Sequence, residues 1–122
     1  MFGEIVPMLE LKLKIWLEKN GETVFGLGRY ELLKLVDELG SLHKAAEALG
    51  ISYRSAWGKI RDTERRLGFK LLERKVGGKS GGGSVLTDEA HALLKEYEKL
   101  ERRIKESAHK AFAKSRLHII VK

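Results

Sequence analysis

Positively charged side chains are concentrated in one stretch of the sequence, from Arg54 to Lys79. This stretch holds nine lysine and arginine residues against three acidic residues, while the whole 122-residue chain has a formal net charge of +7. A solvated protein surface would usually mix its signs more evenly, so a local excess of this size indicates a binding footprint. The chemistry it predicts is non-covalent contact with a polyanion, and nucleic acid is the first candidate.

Other kinds of chemistry find little support in the residue types. The four histidines (His43, His91, His109 and His118) are scattered, and none is paired with carboxylates at a metal-ligand spacing. The chain has no cysteine, which excludes a disulfide framework and a thiolate metal site. No nucleophile elbow is present for a Ser/His/Asp arrangement. We therefore predict no enzyme activity, no metal and no cofactor.

A nucleotide-binding loop is an alternative to the absence of a cofactor, because Gly78-Lys79-Ser80 matches the end of a P-loop. The glycine that a P-loop carries five positions earlier falls here on Glu73, and a carboxylate there would oppose phosphate binding. No βαβ unit surrounds the motif either. We interpret the glycines as part of a hairpin loop instead.

The cationic stretch begins on the second of two predicted helices that are joined by a tight turn. Ser41 can N-cap the first helix, and Gly50 can end it in a left-handed conformation. Residues 45–46 are both alanine, which allows a second helix to pack closely across them. Ser52 then caps a helix that reaches about Leu67. Together these signals predict a helix-turn-helix.

The second helix has an apolar and a polar face. Ala56, Trp57 and Ile60 form the predicted inward stripe. The opposite face carries polar and cationic side chains: Arg54, Ser55, Lys59, Arg61, Arg65 and Arg66. Such a face suits the major groove of DNA, although a solvated amphipathic helix would share the pattern.

A glycine-rich hairpin is predicted after the second helix, between Lys70 and Leu86. Leu71 and Leu72 begin one strand and Val85 and Leu86 return it. The loop between them, GGKSGGGS, has almost no side chains to pack and can approach a phosphate backbone closely. This hairpin is the wing of a winged helix-turn-helix.

These motifs together resemble a known family. They are Gly40-Ser41-Leu42, Ala45-Ala46, Leu49-Gly50-Ile51-Ser52-Tyr53, Ser55-Ala56-Trp57 and the wing sequence from Gly77 to Thr87. From about Leu9 to Phe112 the chain is similar to the N-terminal DNA-binding domain of ModE, the molybdate-responsive transcription regulators, which are related to LysR-type regulators. LysR-type proteins usually carry Gln-Pro where this chain has Tyr53-Arg54. The resemblance implies DNA binding and dimerisation through the helix after the wing. ModE proteins continue into molybdate-binding domains, and the sequence ends at Lys122, so molybdate sensing is not expected of it.

The N-terminal residues predict a β-hairpin. Leu9 to Leu17 alternate strictly between apolar and other residues, the period of a strand with one buried face. Asn20-Gly21 favours a tight turn that would let Thr23–Phe25 pair back. Trp16 falls on the polar side and is interpreted as a cover over a neighbouring element or as a subunit contact. A supporting helix follows over Arg29–Leu39.

The C-terminal helix is predicted to begin after Thr87 and to reach Phe112 or beyond. Its apolar residues at steps of four and three predict a dimer interface: Leu93, Tyr97, Leu100, Ile104 and Ala111. The alternative is a helix that lies on its own domain. The tail over residues 115–122 is either an edge strand or the stub of a connection to further domains.

Roles in DNA contact can be assigned by position. Ser52, Tyr53, Arg54 and Ser55 open the recognition helix and are the candidates for the major groove, with Arg54 the expected reader of guanine. Lys59 could reach a base edge or a phosphate. Ser41, His43 and Lys44 suit phosphate contacts at a helix N-terminus. Arg74, Lys75, Lys79 and Ser80 suit the DNA backbone or the minor groove.

The predicted fold is mostly α with small β elements, as one domain over residues 1–122. Its parts are a hairpin (1–26), a three-helix core (29–68, with the helix-turn-helix at 41–67), a wing (70–86), a dimerisation helix (88–113) and a tail (115–122). The predicted function is a ModE-like, homodimeric, sequence-specific transcription regulator that binds a palindromic operator. The alternatives are a non-specific architectural nucleic-acid binder and a partner-binding module without its effector domain.

Two further expectations rest on composition and on the absence of certain segments. No signal peptide or membrane-spanning run is recognisable, so a cytoplasmic location is expected. Charged residues make up 34% of the chain, which has no cysteine, and this composition leans toward a thermophilic source.

Overall fold

The computed structural model of the chain describes residues 9–75 and 83–120. The elements follow in the order β1 (Leu17–Lys19), β2 (Glu22–Phe25), α1 (Leu27–Leu39), α2 (Leu42–Leu49), α3 (Tyr53–Leu67), β3 (Leu72–Lys75), β4 (Gly83–Leu86), α4 (Asp88–Lys114) and α5 (Leu117–Ile120). The strands form two separate antiparallel pairs, β1 with β2 and β3 with β4. Three helices followed by a hairpin make a winged helix-turn-helix, so the predicted fold class is confirmed. No helix among the described residues is long and apolar enough to cross a membrane.

The turn of the first hairpin is confirmed. Asn20 and Gly21 connect β1 to β2 with φ angles of 53° and 79°. A type I′ hairpin turn requires this left-handed backbone at both positions, and asparagine and glycine are the residues that adopt it most readily.

The long N-terminal strand predicted over Leu9–Leu17 is wrong. Burial alternates from residue 9 to residue 16 as the pattern predicted, but the strand itself begins only at Leu17. Within the described residues no strand pairs with 9–16. The hydroxyl of Tyr97 instead donates a hydrogen bond to the carbonyl oxygen of Ile15 at 2.9 Å. The alternating burial of residues 9–16 therefore belongs to a segment that lies on the domain outside any sheet.

The three core helices begin and end where the sequence predicted, apart from two extra residues at the start of α1. The hydroxyl oxygens of Ser41 and Ser52 accept hydrogen bonds from the backbone N–H groups of α2 and α3. The glycines that follow the three helices all adopt the left-handed conformation: Gly40, Gly50 and Gly68. That conformation costs glycine little because it has no Cβ.

The core lies where α1 crosses α2, α3 and the first half of α4. Ala45 and Ala46 are buried, and their small size allows the close crossing of α1 over α2. The largest fully buried apolar side chains are Phe25, Leu32, Leu33, Val36, Ile60 and Leu71. They come from α1, α3 and both hairpin regions, so one core holds the hairpin, the helix-turn-helix and the base of the wing together.

The wing is fixed to the domain at its base. Strands β3 and β4 pair in register from Leu72 with Leu86 to Lys75 with Gly83. The N–H of Ser84 donates to the carbonyl oxygen of Gly40 at 3.0 Å. A Cβ atom at Gly83 would overlap that same carbonyl oxygen, so only glycine allows this close approach. Most of the predicted glycine loop falls at residues 76–82, outside the described residues.

Helix α4 has two different halves. Ala90, Leu94 and Tyr97 are buried in the domain, and the ring of Tyr97 packs edge-on against Phe25 at a centroid distance of 5.0 Å. The prediction that Tyr97 faces a second subunit is therefore wrong, because the ring fills a gap between α4, α1 and β2. Among the described residues after Tyr97 none is buried, and Leu100 and Ile104 are exposed. Residues 117–120 form a single helical turn, so the edge-strand alternative for them is also wrong.

Candidate nucleic-acid interface

The first turns of α2 and α3 lie side by side on one surface of the domain. The rings of His43 and Tyr53 stack with their centroids 5.4 Å apart and their planes at 28°. Ser41 and Ser52 stand at the starts of the same two helices. The structure thus brings together four of the residues that the sequence predicted as DNA contacts.

The hydroxyl oxygens of Ser41 and Ser52 are already used inside the domain. They accept hydrogen bonds from the backbone N–H groups of Lys44 at 3.1 Å and of Ser55 at 3.0 Å. Each O–H proton is still able to donate to an external acceptor such as a phosphate oxygen. These two serines can therefore cap their helices and contact a ligand at the same time.

Helix α3 separates its buried and exposed residues clearly. Ala56, Ile60 and Thr63 are buried against the core. At about 100° per residue, Arg54, Gly58 and Arg61 lie on the opposite side of the helix. Tyr53 and Trp57 border this exposed face on the side of the wing, and Lys59 borders it on the other side, where it lines a cavity with Trp16 and Leu27.

Trp57 is a functional candidate that the sequence reasoning missed. It was predicted to belong to the inward stripe, yet its side chain is 41% exposed. With Tyr53 and Arg74 it lines a cleft of about 150 Å³ between α3 and the wing. The prediction failed because Trp57 lies about a quarter-turn from the centre of the buried stripe, where it lines the cleft together with Leu42 and Leu72. Its spacing of four residues from the exposed Tyr53 was the signal that could have found it.

Two cations assigned to the exposed face of α3 are engaged within the protein. The guanidinium of Arg66 forms an ion pair with Glu22 at 2.7 Å and donates a hydrogen bond to the carbonyl oxygen of Thr23 at 2.6 Å. Arg65 pairs with Asp62 at 3.1 Å. Arg66 therefore joins α3 to the first hairpin, and its placement on the DNA-facing surface was wrong.

The other cations near the surface are available to a ligand. Within residues 9–75 and 83–120, the cations without an ion pair to another described residue include Lys44, Arg54, Lys59, Arg61, Arg74 and Lys75. Arg61 was predicted to lie on the exposed face of α3 but was not among the predicted DNA contacts. Its spacing of seven residues from Arg54 puts both side chains on one side of the helix. Lys79 and Ser80 lie outside the described residues.

Two contacts hold the end of α3 to the wing and the side of α3 to α1. One carboxylate oxygen of Glu64 accepts from the backbone N–H groups of Leu71 at 2.7 Å and Leu72 at 3.4 Å, immediately before and at the start of β3. The guanidinium of Arg29 donates to the hydroxyl of Thr63 at 2.7 Å. Burial and the nearby charge of Arg66 lower the pKa of Arg29, while Asp62 raises it. These groups position the exposed face and do not belong to it.

The described histidines lie apart from one another. In the part of the chain that the structure describes, no three histidine, aspartate or glutamate side chains converge on one point. His43 stacks on Tyr53, His91 lies 3.8 Å from Asp37, and His118 packs on Phe112. The arrangement suits non-covalent contact with an anionic, partly apolar ligand.

The chain is similar to known regulatory proteins. The transcriptional regulator ModE of Haemophilus influenzae is 41% identical over 81 residues, which are 66% of this chain and 32% of that protein. The DNA-binding transcriptional dual regulator ModE of Escherichia coli K12 is 36% identical over 100 residues, 82% of this chain and 35% of that protein. This chain thus spans about a third of the length of these relatives.

The fold is also found in a solved structure. The crystal structure of the BenM_DBD/catB site 1 DNA complex superposes with a TM-score of 0.52 at 28% identity, covering 72% of this chain and 94% of that one. Residues 27–91, from the start of α1 to the first turn of α4, match the family described as "Bacterial regulatory helix-turn-helix protein, lysR family". With its helix-turn-helix, its wing and this match over more than half of its length, the chain belongs to the LysR family of bacterial regulatory helix-turn-helix proteins.

Proposed function

We propose that the chain is a transcription regulator that binds duplex DNA sequence-specifically through the exposed face of α3. The observation that carries this proposal is that cationic and aromatic side chains lie together on one surface. Arg54 and Arg61 make no ion pair with other described residues, and the half-exposed Tyr53 borders the same face. Proteins use such a helix face to enter the major groove, where base edges present distinct donors and acceptors.

Each element has a distinct role in this proposal. The guanidinium of Arg54 reads a guanine through two parallel hydrogen bonds, and Ser52, Tyr53 and Ser55 contact neighbouring bases. Lys59, on the flank of α3, suits a phosphate better than a base. Ser41, His43 and Lys44 hold the DNA backbone at the start of α2, which fixes the register of the complex. The wing contacts the backbone or the minor groove through Arg74, Lys75, Lys79 and Ser80.

The proposed regulator is a homodimer that is joined through the second half of α4. Leu100, Ile104 and Ala111 are exposed there, and Leu93 is half-buried at the edge of the core. Exposed leucine and isoleucine at a four-residue step give a helix an apolar seam, which a second copy would bury. Two copies would present their recognition helices to half-sites about 34 Å apart on a palindrome.

Two other functions are consistent with parts of the evidence. The concentration of cations between Arg54 and Lys79 would satisfy an architectural protein that binds nucleic acid of any sequence. The exposed seam of α4 would also suit a module that pairs with another protein. The relatives named ModE are about three times longer than the residues matched here, so molybdate sensing is no part of this proposal.

The decisive experiment is selection of bound duplexes from a random DNA pool, followed by titration of the winner and of a scrambled control at two salt concentrations. A palindromic consensus preferred by about a thousandfold or more, bound by a dimer in sedimentation analysis, is the expected result. Affinity that collapses with salt and shows no consensus would indicate the architectural role. A monomer without DNA affinity would indicate the partner-binding module.

A regulator that binds the chromosome works in the cytoplasm, which is where we propose that this chain acts. The composition-based hypothesis of a thermophilic source is tested in the same purified protein by its thermal unfolding temperature.

A further inference from the structure

The middle of the exposed face of α3 is occupied by a glycine. Gly58 lies nearly opposite the centre of the buried stripe formed by Ala56, Ile60 and Thr63, at about 100° per residue. Arg54 precedes it by four residues and Arg61 follows it by three, so all three share one side of the helix. Gly58 is only half-exposed despite this position. It forms the floor of a notch between two long cationic side chains.

Nothing among the residues that the structure describes explains a glycine at this position. Glycine destabilises a helix interior relative to alanine, because its backbone loses more freedom on folding. The backbone of Gly58 is not in the left-handed region that favours glycine. A Cβ atom added there would meet no described atom within 4 Å outside the backbone of its own helical turns. Alanine would therefore fit the described part of the domain, which points to a reason outside it for the missing side chain.

We propose that Gly58 lets the backbone of α3 lie close to the floor of the major groove, with a base edge entering the notch between Arg54 and Arg61. This inference rests on the proposed function and adds a specificity-determining position to it. At 1.5 Å of rise per residue the two arginines are separated by roughly 10 Å along the helix, about three base-pair steps. The base pair opposite Gly58 is then selected by how closely the helix approaches.

The test uses Gly58→Ala, with Gly28→Ala as its matched control. Gly28 is also a helical glycine whose added Cβ meets nothing within 4 Å, but it lies in the first turn of α1. We expect both substitutions to leave the unfolding temperature unchanged or to raise it by a few degrees, roughly 2–5 °C. We expect only Gly58→Ala to weaken binding of the selected duplex, by roughly tenfold, because the methyl group holds α3 away from the bases.

The size and the location of the loss distinguish this proposal from a general effect. Gly58→Ser should weaken binding more than Gly58→Ala, and a repeated selection with either variant should relax the consensus at the positions between those read by Arg54 and Arg61. Binding of Gly58→Ala within twofold of the unsubstituted protein would overturn the notch while leaving DNA binding intact. A lowered unfolding temperature would also overturn it, because the domain itself would then require glycine. Absence of any duplex preference in the unsubstituted protein would instead contradict the proposed function.

Discussion

The two halves of α3 carry similar numbers of charged residues but use them differently. In the first half, taken here as residues 53–61, the cations Arg54, Lys59 and Arg61 form no ion pair with other described residues. In the second half, Arg65 pairs with Asp62 and Arg66 pairs with Glu22. Glu64 is bonded to the backbone that enters the wing. The first half is therefore available to a ligand, whereas the second half holds the domain together.

The cause of this difference is what each half packs against. The second half lies between the first hairpin and the base of the wing, so its side chains meet backbone groups that need partners. The first half follows the turn of the helix-turn-helix, and the face that carries Arg54 and Arg61 lies on the side of α3 opposite its buried residues. A count of charges in the sequence cannot separate these two roles, because both halves contribute cations to the same basic stretch.

The largest expected effect is on stability, from Arg66→Ala. The substitution removes the largely buried guanidinium that pairs with the exposed carboxylate of Glu22, and it leaves the carbonyl oxygen of Thr23 without its donor. We expect the free energy of unfolding to fall by about 2–3 kcal/mol in chemical denaturation, mainly through the lost hydrogen bond to a charged donor. Arg65→Ala is the control, because it removes an exposed pair within one helix and should cost less than about 0.5 kcal/mol. Equal losses for the two variants would contradict the division of α3 into two halves.

The converse effect is expected from Arg54→Ala in the exposed half. Binding of the preferred duplex should weaken by about 1–3 kcal/mol and one base position should relax, while the free energy of unfolding changes by less than about 0.5 kcal/mol. Titration of the preferred and a random duplex measures this. Lys79→Ala is the comparison: if Lys79 contacts the DNA backbone as proposed, its loss should weaken both duplexes alike and lower the salt dependence by about one ion. An equal loss on both duplexes for Arg54→Ala would show that it reads no base.

Trp57 sharpens the comparison because it lies at the border of the exposed half. Truncation of a fully buried tryptophan costs about 3–5 kcal/mol of stability. For a side chain that is 41% exposed we expect Trp57→Ala to cost less than about 2 kcal/mol, with a loss of about 1 kcal/mol in binding the preferred duplex. Denaturant unfolding and duplex titration measure the two effects. If Trp57→Ala strongly destabilised the domain without changing its affinity for the duplex, Trp57 would be a core residue and not a DNA contact.

The smallest effect at neutral pH is expected far from α3, at the contact between α1 and α4. Burial, together with the hydrogen bond that the Tyr30 hydroxyl donates to Glu98 at 2.7 Å, raises the pKa of Tyr30 to about 12. An unfolded tyrosine has a pKa near 10. Below about pH 10 both states hold the proton and the stabilisation is complete. Between about pH 10 and pH 12 only the unfolded state releases it, so stability falls as pH rises.

Tyr30→Phe removes this titration. Its unfolding temperature should fall less steeply than that of the unsubstituted protein between about pH 10 and pH 12, and its DNA affinity near neutral pH should not change. Part of the alkaline loss should remain, because burial also raises the pKa of Tyr97. Parallel pH profiles for the two proteins would exclude Tyr30 as the source.

Local signals in the sequence predicted most of the fold. Ser41, Ser52 and Thr87 were expected at helix starts, and each accepts the expected backbone hydrogen bond. Asn20-Gly21 forms the expected turn. These signals succeed because a cap or a turn is completed by residues only two or three positions apart.

The failures at Trp57, Tyr97 and Arg66 depend on contacts between residues that are distant in the chain. Trp57 and Tyr97 are both aromatic residues on amphipathic helices, and one is half-exposed whereas the other is buried. Trp57 lines an open cleft with Leu42 and Leu72, whereas the ring of Tyr97 packs edge-on against Phe25. In the sequence, Arg66 resembles the other surface cations, because its partners in the first hairpin come close only in the folded domain. The predicted DNA-contact roles themselves remain predictions.

The anchoring of Tyr97 has a consequence for how operators of different length could be read. The ring fixes the direction in which each face of α4 points where the helix leaves the core. The rest of α4 is then a rigid extension, and both its length and the direction of its apolar seam are determined by the number of residues after Tyr97. Each residue inserted after Tyr97 would advance the seam of Leu100 and Ile104 by 1.5 Å and rotate it by about 100°. An insertion of one residue would turn the seam away from a partner, whereas four would nearly restore its phase one turn further out. In the proposed dimer, the spacing between recognition helices can thus change in whole helical turns while the surface that reads the bases stays the same.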